Sequence, residues 1–138
     1  MVSFPGPRTA FGAVAMETTW NLAAAIGERV VLDSWWFRPR DRDHAIDGLR
    51  ARRAQATVEV WCDVPIALAR KRYEARDRHP VHRDNRDMTD EWARWEAEGQ
   101  PLAIGPVIRL PASGPLTTGA ITACAQRILE TFRAEEVT

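Results

Sequence analysis

The sequence predicts an α/β fold, a three-layer sandwich in which helices cover both faces of a short parallel sheet of about three strands. Two observations lead to this prediction. Short apolar runs without polar alternation recur along the chain, which is typical of parallel strands buried on both faces. Segments with apolar residues at helical spacing separate these runs, and such alternation is typical of a parallel sheet.

Composition and length place limits on the class of protein. A chain of 138 residues with 45% hydrophobic and 28% charged residues predicts one globular domain over residues 1–138. The formal net charge is zero, so neither nucleic acid nor an anionic membrane is an expected partner. Cys62 and Cys124 are isolated, no secretory signal pattern is present, and no apolar run approaches the roughly 20 residues that span a bilayer. We therefore expect a soluble, cytoplasmic protein.

The first two elements are a long helix and a short strand. Thr9 is a candidate N-cap for a helix that runs to Ile26, with Gly27 as its stop. Residues on one face of this helix share helical spacing and are predicted to be buried: Phe11, Val14, Thr18, Leu22 and Ile26. Val30, Val31 and Leu32 then read as a strand buried on both faces.

The middle of the chain predicts helix, strand and helix. The second helix covers Asp43 to about Ala54, after a loop with the sequence WWFRPR. Thr57–Cys62 is the second strand. Asp63 is the expected cap of a third helix, which has Pro65 close to its first turn and runs to about Arg78.

The last third begins with a polar, irregular segment, His79–Met88, which reads as a loop or lid. Thr89 is expected to cap a short helix closed by Gly99. Val107–Leu110 is the third strand, followed by the turn 112–115. The final helix begins at Thr117 or Thr118, with one apolar face made of Ile121, Cys124, Ile128 and Phe132.

Asp33 is the first candidate for chemistry. It follows the predicted strand Val30–Leu32, and ligands of open parallel sheets bind beyond the carboxyl ends of the strands. A carboxylate there can hold Mg²⁺ or accept a proton from a substrate hydroxyl. It can equally hydrogen-bond the backbone of its own turn, as aspartates at strand ends often do.

Arginines at the end of the third predicted helix form the second candidate site. Arg72 and Arg76 are four residues apart and are predicted to share a helical face. Two guanidinium groups beside a polar loop can clamp phosphate oxygens. A solvated basic face paired with Glu74, Asp77 and Asp84 is the alternative.

The remaining candidates are aromatic or lie in the polar loop. Trp35 and Trp36 can line a ligand-binding site or simply fill the hydrophobic core. Arg38 follows them and is a candidate substrate contact. His79 and His82 are three residues apart around a proline, but a third metal ligand is not evident, so contact with substrate or solvent is the better reading of the pair.

The order of these pieces resembles a known family. The segments VVLDS, VEVWCDVP, IALARKRYEAR, RHPVHRD and GPVIRLPASGP follow each other as in the C-terminal two-thirds of P-loop small-molecule kinases. These are AAA-type ATP-binding proteins related to gluconate kinases and zeta-toxin-like phosphotransferases. The resemblance covers Thr9–Phe132 and depends on the ordered set of segments rather than on one specific motif.

The resemblance implies ATP-dependent phosphoryl transfer, with Mg²⁺, to a small-molecule acceptor that the sequence does not identify. Asp33 would match the acid of the Walker-B-like strand, and Arg72 and Arg76 would match the lid-helix arginines around the transferring phosphoryl group. His82 and Arg83 fall in the lid sequence. The loop beside the adenine would be Ala112, Ser113, Gly114 and Pro115.

One part of the family pattern has no counterpart. The sequence contains no G-x-x-x-x-G-K-[ST], whose backbone amides and lysine cradle the phosphates, so we expect weak ATP binding and inefficient transfer. The family's spatial strand order is 2-3-1-4-5, and the strand without a counterpart is the central one. A chain truncated relative to the family and a domain that has lost nucleotide binding both remain open explanations.

The strands ending near Asp33 and Cys62 would flank that central strand. They must pair directly, pair with another chain, or leave an exposed edge, and a homodimer through such an edge is an expected partner. The alternative function is accordingly a non-catalytic binding or oligomerisation module derived from the same fold.

Overall fold

The computed structural model describes residues 8–26, 29–77 and 87–135, and a mixed α/β fold is confirmed within them. The described residues form five helices and two strands. The helices are α1 (Arg8–Ile26), α2 (Arg38–Arg52), α3 (Ile66–Glu74), α4 (Thr89–Glu98) and α5 (Thr118–Glu135), and the strands are β1 (Glu59–Asp63) and β2 (Val107–Pro111). None of the described helices is long and apolar enough to cross a membrane.

The chain divides into two compact units. The first unit contains the residues up to Trp35 together with Asp43–Gln55. The second contains Trp36–Arg42 and the residues from Ala56 onward, and therefore holds the whole sheet. The single domain over residues 1–138 stays a prediction.

The sheet of the second unit consists of β1 and β2, which are parallel and in register from Glu59↔Val107 to Asp63↔Pro111. Helices α3 and α4 lie in the crossover between the two strands, as a parallel connection requires. Ile108 of β2 is buried, and α5 packs against β2. Both strands were predicted from their β-branched apolar residues, and both form.

The predicted strand Val30–Leu32 is not a strand in the described structure, so the three-strand sheet and the three-layer sandwich are not confirmed. The side chain of Val31 is 91% exposed. A β-strand exists only through hydrogen bonds to a neighbour, and an apolar run cannot supply that neighbour by itself.

The buried face of α1 differs from the predicted one. Trp20 and Ala23 are buried, whereas Val14, Leu22 and Ile26 are more than half exposed. Apolar residues surround nearly the whole circumference of this helix, so helical spacing alone does not select one face. Tertiary contact selects it, because the indole of Trp20 lies against Gly48 of α2, where a Cβ atom would overlap the ring.

Helix α2 begins at Arg38, five residues before the predicted Asp43. Asp41 explains the early start, because its Oδ2 accepts a hydrogen bond from the Phe37 N–H at 2.7 Å and closes the first turn. The Arg40 guanidinium contacts the same carboxylate. The hydrogen bond from the Arg40 guanidinium to Asp41 raises the pKa of Arg40 above its usual value. Partial burial of the guanidinium acts in the opposite direction.

The starts of α3 and α4 correct two predicted caps. Helix α3 begins at Ile66 after Pro65 without any side-chain cap, so Asp63 is not its N-cap. Helix α4 begins at Thr89, but the hydrogen-bond acceptor at its start is Asp87. The Oδ1 atom of Asp87 accepts the Thr89 N–H at 2.9 Å and the Thr89 hydroxyl at 2.7 Å. These bonds stabilise the carboxylate and hold the pKa of Asp87 below its usual value.

Aromatic residues join α3 to α4. Trp92 is buried, and its ring meets Tyr73 edge to face at 5.6 Å between centroids and Trp95 at 4.9 Å. The guanidinium of Arg94 lies 4.9 Å from the ring centre of the buried Phe37. In α5, Cys124 is buried as predicted, whereas Ile121 of the predicted apolar face is exposed.

Candidate functional site

The carboxyl ends of β1 and β2 meet at one edge of the sheet, because Asp63 is level with Pro111. The loop after β2 is attached there by a hydrogen bond of 2.9 Å from the Ala112 N–H to the Asp63 carbonyl. Ligands of open parallel sheets bind at this kind of edge. This carboxyl edge, made of Asp63, Arg72, Arg109, Ala112 and Ser113, is the candidate functional site.

Arg72 is the residue that joins helix to loop at the carboxyl edge. Its Nη1 donates to the Ala112 carbonyl and its Nη2 to the Ser113 carbonyl, both at 2.7 Å. The predicted lid-helix arginine and the predicted nucleotide loop are therefore in contact. Because guanidinium has five N–H donors and these two bonds use two of them, Arg72 keeps donor capacity for a further acceptor.

An ion pair lies at the same edge. The Nη1 atom of Arg109 is 3.0 Å from Oδ2 of Asp63, and both side chains are about half exposed. Exposed pairs of this kind contribute little to stability, so the pair serves mainly to orient the two side chains. Sequence reasoning missed Arg109, although alternation along β2 places it opposite the buried Ile108, on the face that can carry charge.

The loop after β2 matches the predicted adenine loop in position only. Ala112 is half-buried, whereas Ser113, Gly114 and Pro115 are exposed. A Cβ atom at Gly114 would meet nothing within 4 Å, so no close packing in the described structure requires glycine there. Contact of these residues with a nucleotide stays a prediction.

Arg76 does not share a helical face with Arg72. Helix α3 ends at Glu74, with Ala75 as its C-cap, and Arg76 lies beyond it with an exposed side chain. The predicted helix to Arg78 was too long because the last helical hydrogen bonds are made by the Ala75 and Arg76 amides, which donate to Lys71 and Tyr73. His82 and Arg83 lie outside the described residues.

The other predicted site residues lie away from β1 and β2 in the sequence. Asp33 is exposed in an irregular segment of the first unit, so it is not at the end of a formed strand. Trp35 is about half exposed in that same unit. Trp36, half-buried, and Arg38, the exposed first residue of α2, belong to the second unit. The convergence of Asp33 with Arg72 and Arg76 stays a prediction.

The described residues do not build a magnesium site by themselves. Asp33 is a single exposed carboxylate, and no group of three or more His, Cys, Asp or Glu side chains suited to a metal lies among residues 8–26, 29–77 and 87–135. They also contain no glycine-rich segment followed by lysine that would cradle a triphosphate. No reaction step is therefore assigned to Mg²⁺ or to ATP.

A second polar cluster lies at the opposite end of β1. The carboxylate of Glu59 accepts the N–H of Leu102 at 2.8 Å and that of Ala103 at 2.9 Å. Nε of Arg42 donates to the Leu102 carbonyl at 3.1 Å. Two adjacent amides form an anion-binding concavity, but Glu59 already fills it. This cluster is structural, because it fixes the loop before β2 to the start of β1.

No family model matches the chain, and neither a curated protein nor a solved structure matches it.

Proposed function

We propose that the chain is a domain of an ATP-dependent, small-molecule kinase-like phosphotransferase and that the carboxyl edge holds its phosphate-binding groups. The observation that carries this proposal is the double hydrogen bond from Arg72 to Ala112 and Ser113. It brings the residue that resembles a lid arginine against the loop that resembles the adenine loop. The acceptor of the phosphoryl group is a small molecule whose identity the site does not specify.

The chemistry of Arg72 supports this proposal. Guanidinium is the cation best suited to phosphate, because its planar array of donors can bind two oxygens at once. Two carbonyl acceptors hold the Arg72 side chain in one orientation before any ligand arrives. An arginine held in this way loses less conformational entropy when a phosphate binds, so more of the hydrogen-bond energy appears as affinity.

The sheet order also supports the proposal. In the family order 2-3-1-4-5, the last two strands are parallel neighbours. The strands β1 and β2 are parallel neighbours, and the described part of their crossover contains the helices α3 and α4. Within the described residues, β1 has no strand on its other side, which is the side where the family has its central strand.

A titration observed by NMR tests the proposal on the chain as it stands. We expect ATP, ADP and pyrophosphate to shift the Arg72 Nε–H signal and the amide signals of Ala112 to Gly114. The affinity should be in the millimolar range, on the order of 4 kcal/mol, because these 138 residues contain no glycine-rich loop with a lysine to cradle the phosphates. Adenosine, which has no phosphate, should leave the Arg72 signal unchanged.

Two variants make this test specific. Arg72→Gln should abolish the phosphate-dependent shifts at the loop, whereas Arg127→Gln, an exposed arginine on α5, should leave them intact. Shifts that are equal in Arg72→Gln and in the unaltered chain would contradict the proposal. So would shifts spread over all exposed arginines, since these would indicate only nonspecific anion binding.

A second candidate function is the non-catalytic binding or oligomerisation module. It is favoured by apolar side chains that the second unit leaves exposed, namely Val60 on β1, Leu116, and Ile121 and Leu129 on α5. A folded chain that binds no phosphate compound but self-associates with rising concentration would favour this function over phosphoryl transfer.

A further inference from the structure

Among the described residues, one long edge of β1 has no strand beside it. The Glu59 N–H donates to the Pro106 carbonyl, and the Asp63 carbonyl accepts from Ala112, so these residues direct their backbone groups toward β2. In a parallel pair, alternate residues of a strand direct their N–H and C=O groups to opposite sides. Val60 and Cys62 therefore direct theirs away from β2, where no strand lies among the described residues.

The open edge has few of the features that protect edge strands. The segment Thr57–Asp63 contains neither proline nor lysine, the residues that commonly prevent edge-to-edge pairing. Val58, Val60 and Cys62 alternate along it and share one face of the sheet. Val60 is 38% exposed and Cys62 is exposed, so an apolar row accompanies the backbone groups that no described strand pairs.

We propose that β1 pairs antiparallel with β1 of a second copy of this chain, about a two-fold axis at Val60. The sheet then continues across the interface in the order β2–β1–β1–β2. Val60 faces Val60 of the second copy, and Val58 faces Cys62. On the other face of the sheet, Glu59 faces Trp61, and Thr57 faces Asp63, whose carboxylate can accept the threonine hydroxyl.

Charge disfavours the neighbouring register. An axis at Trp61, one residue further along, would put Glu59 opposite Asp63, and like charges directly opposite each other destabilise a strand pair. Glu59 cannot turn away from this contact, because the Leu102 and Ala103 amides hold its carboxylate. The axis at Val60 opposes no like charges. Since the sequence of this edge complements itself, a second copy is the partner that fits.

The pairing is weak and depends on concentration. The three edge-facing pairs form about six backbone hydrogen bonds, and a strand of this length buries less than a standard interface. We therefore expect a dissociation constant on the order of 10⁻⁴ M. The proposal does not depend on phosphoryl transfer, and its readout is separate from phosphate titration.

Disulfide trapping of the full chain tests the register. In a Cys124→Ala background, Cys62 is the only thiol. At the proposed register, the two copies of Cys62 lie roughly four residues, or about 13 Å, apart along the sheet, too far for a disulfide. Adding Val58→Cys places a new thiol opposite Cys62 of the second copy, at about 5.5 Å between Cα atoms, which a disulfide spans.

On oxidation near millimolar protein, we expect the Val58→Cys, Cys124→Ala chain to form a dimer. Its disulfide should join the introduced thiol of one copy to Cys62 of the other, as identified by peptide mass spectrometry. The Cys124→Ala chain should stay uncrosslinked. A Cys62–Cys62 link in that chain would overturn the register. The dimer would be overturned if no disulfide forms and the sedimentation coefficient does not change with protein concentration.

Two further variants separate edge pairing from loss of fold. Val60→Pro removes an N–H that points away from β2, so the β1–β2 hydrogen bonds remain, and Val60→Lys puts like charges together at the axis. Either variant should abolish the disulfide between the introduced thiol and Cys62 while the circular dichroism spectrum is unchanged. If Val60→Pro changes the circular dichroism spectrum, the result for Val60→Lys decides between edge pairing and loss of fold. A link that persists in folded Val60→Lys would overturn the proposal.

Discussion

Glu59 is the side chain whose removal tests the architecture of the second unit most directly. Its two carboxylate oxygens accept the Leu102 and Ala103 amides, which lie 43 and 44 residues further along the chain. Leu102 is buried, whereas Ala103 is exposed and has a φ of 51°. The carboxylate therefore holds a loop with an unfavourable backbone angle to the beginning of β1.

The cost of Glu59→Gln follows from these contacts. The amide oxygen of glutamine still accepts the buried Leu102 N–H, but the loss of charge weakens that bond by about 1 kcal/mol. The glutamine NH₂ group stands where the carboxylate oxygen accepted the Ala103 N–H, so that hydrogen bond is lost. Because the Ala103 N–H is exposed and can bond to water instead, the loss costs about 0.5–1 kcal/mol. We expect the unfolding free energy to fall by about 1.5–2 kcal/mol in total. Glu59→Ala leaves the buried N–H unpaired and should cost about 3 kcal/mol.

Urea denaturation observed by tryptophan fluorescence and circular dichroism measures this loss. A decrease of about 1.5–2 kcal/mol lowers the urea midpoint by about 1 M at a typical slope. Hydrogen exchange should quicken at the Leu102 amide in both variants. Glu98→Gln is the matched control, because the contact of Glu98 in the described structure is an exposed pair with Arg94, and its loss should cost less than about 0.5 kcal/mol. A Glu59→Gln midpoint equal to that control, with unchanged exchange at Leu102, would refute the reasoning.

Three further predictions concern packing and a helix start. Trp92→Ala should lower the unfolding free energy by about 3–5 kcal/mol, because it empties a buried site and removes two edge-to-face contacts; denaturation and near-UV circular dichroism measure this. Gly48→Ala should cost about 1–3 kcal/mol and shift Trp20 fluorescence, since the new methyl overlaps the indole, and an unshifted spectrum would contradict the contact. The lowered pKa of Asp87 means that its contribution to stability is present above the usual carboxyl pKa and is lost as the pH falls through the folded value. Asp87→Asn should therefore reduce the loss of stability that occurs as the pH falls below the usual carboxyl pKa, measured by thermal melts in acid, and an identical pH profile would refute the Thr89 contact.

Local patterns in the sequence were sufficient to predict β1, β2 and most helices, but they also predicted a strand at Val30–Leu32 that is not one in the described structure. β1, β2 and α5 form within two residues of their predicted positions, because β-branched runs and apolar periodicity act over a few neighbouring residues. Helix boundaries were less accurate where a side chain decides them. Asp41 starts α2 early, and α3 ends at Glu74, before Arg76.

Part of the candidate site followed from the sequence as well. Arg72 and the loop after β2 were both predicted as site residues, and they are in contact. Arg109 was missed, because its significance depends on Asp63, a residue 46 positions earlier that sequence reasoning assigned to a helix cap. No local signal indicates a partner at that separation.

The sequence by itself determined where helix and strand can form, since those preferences lie in each residue and its nearest neighbours. Only the tertiary structure decided which apolar face of α1 is buried, which strands are paired and which carbonyls hold Arg72. These outcomes depend on contacts between residues far apart in the chain, as in the approach of Trp20 to Gly48. Val30–Leu32 shows the limit of local preference, because a β-forming segment becomes a strand only when another strand supplies its hydrogen bonds.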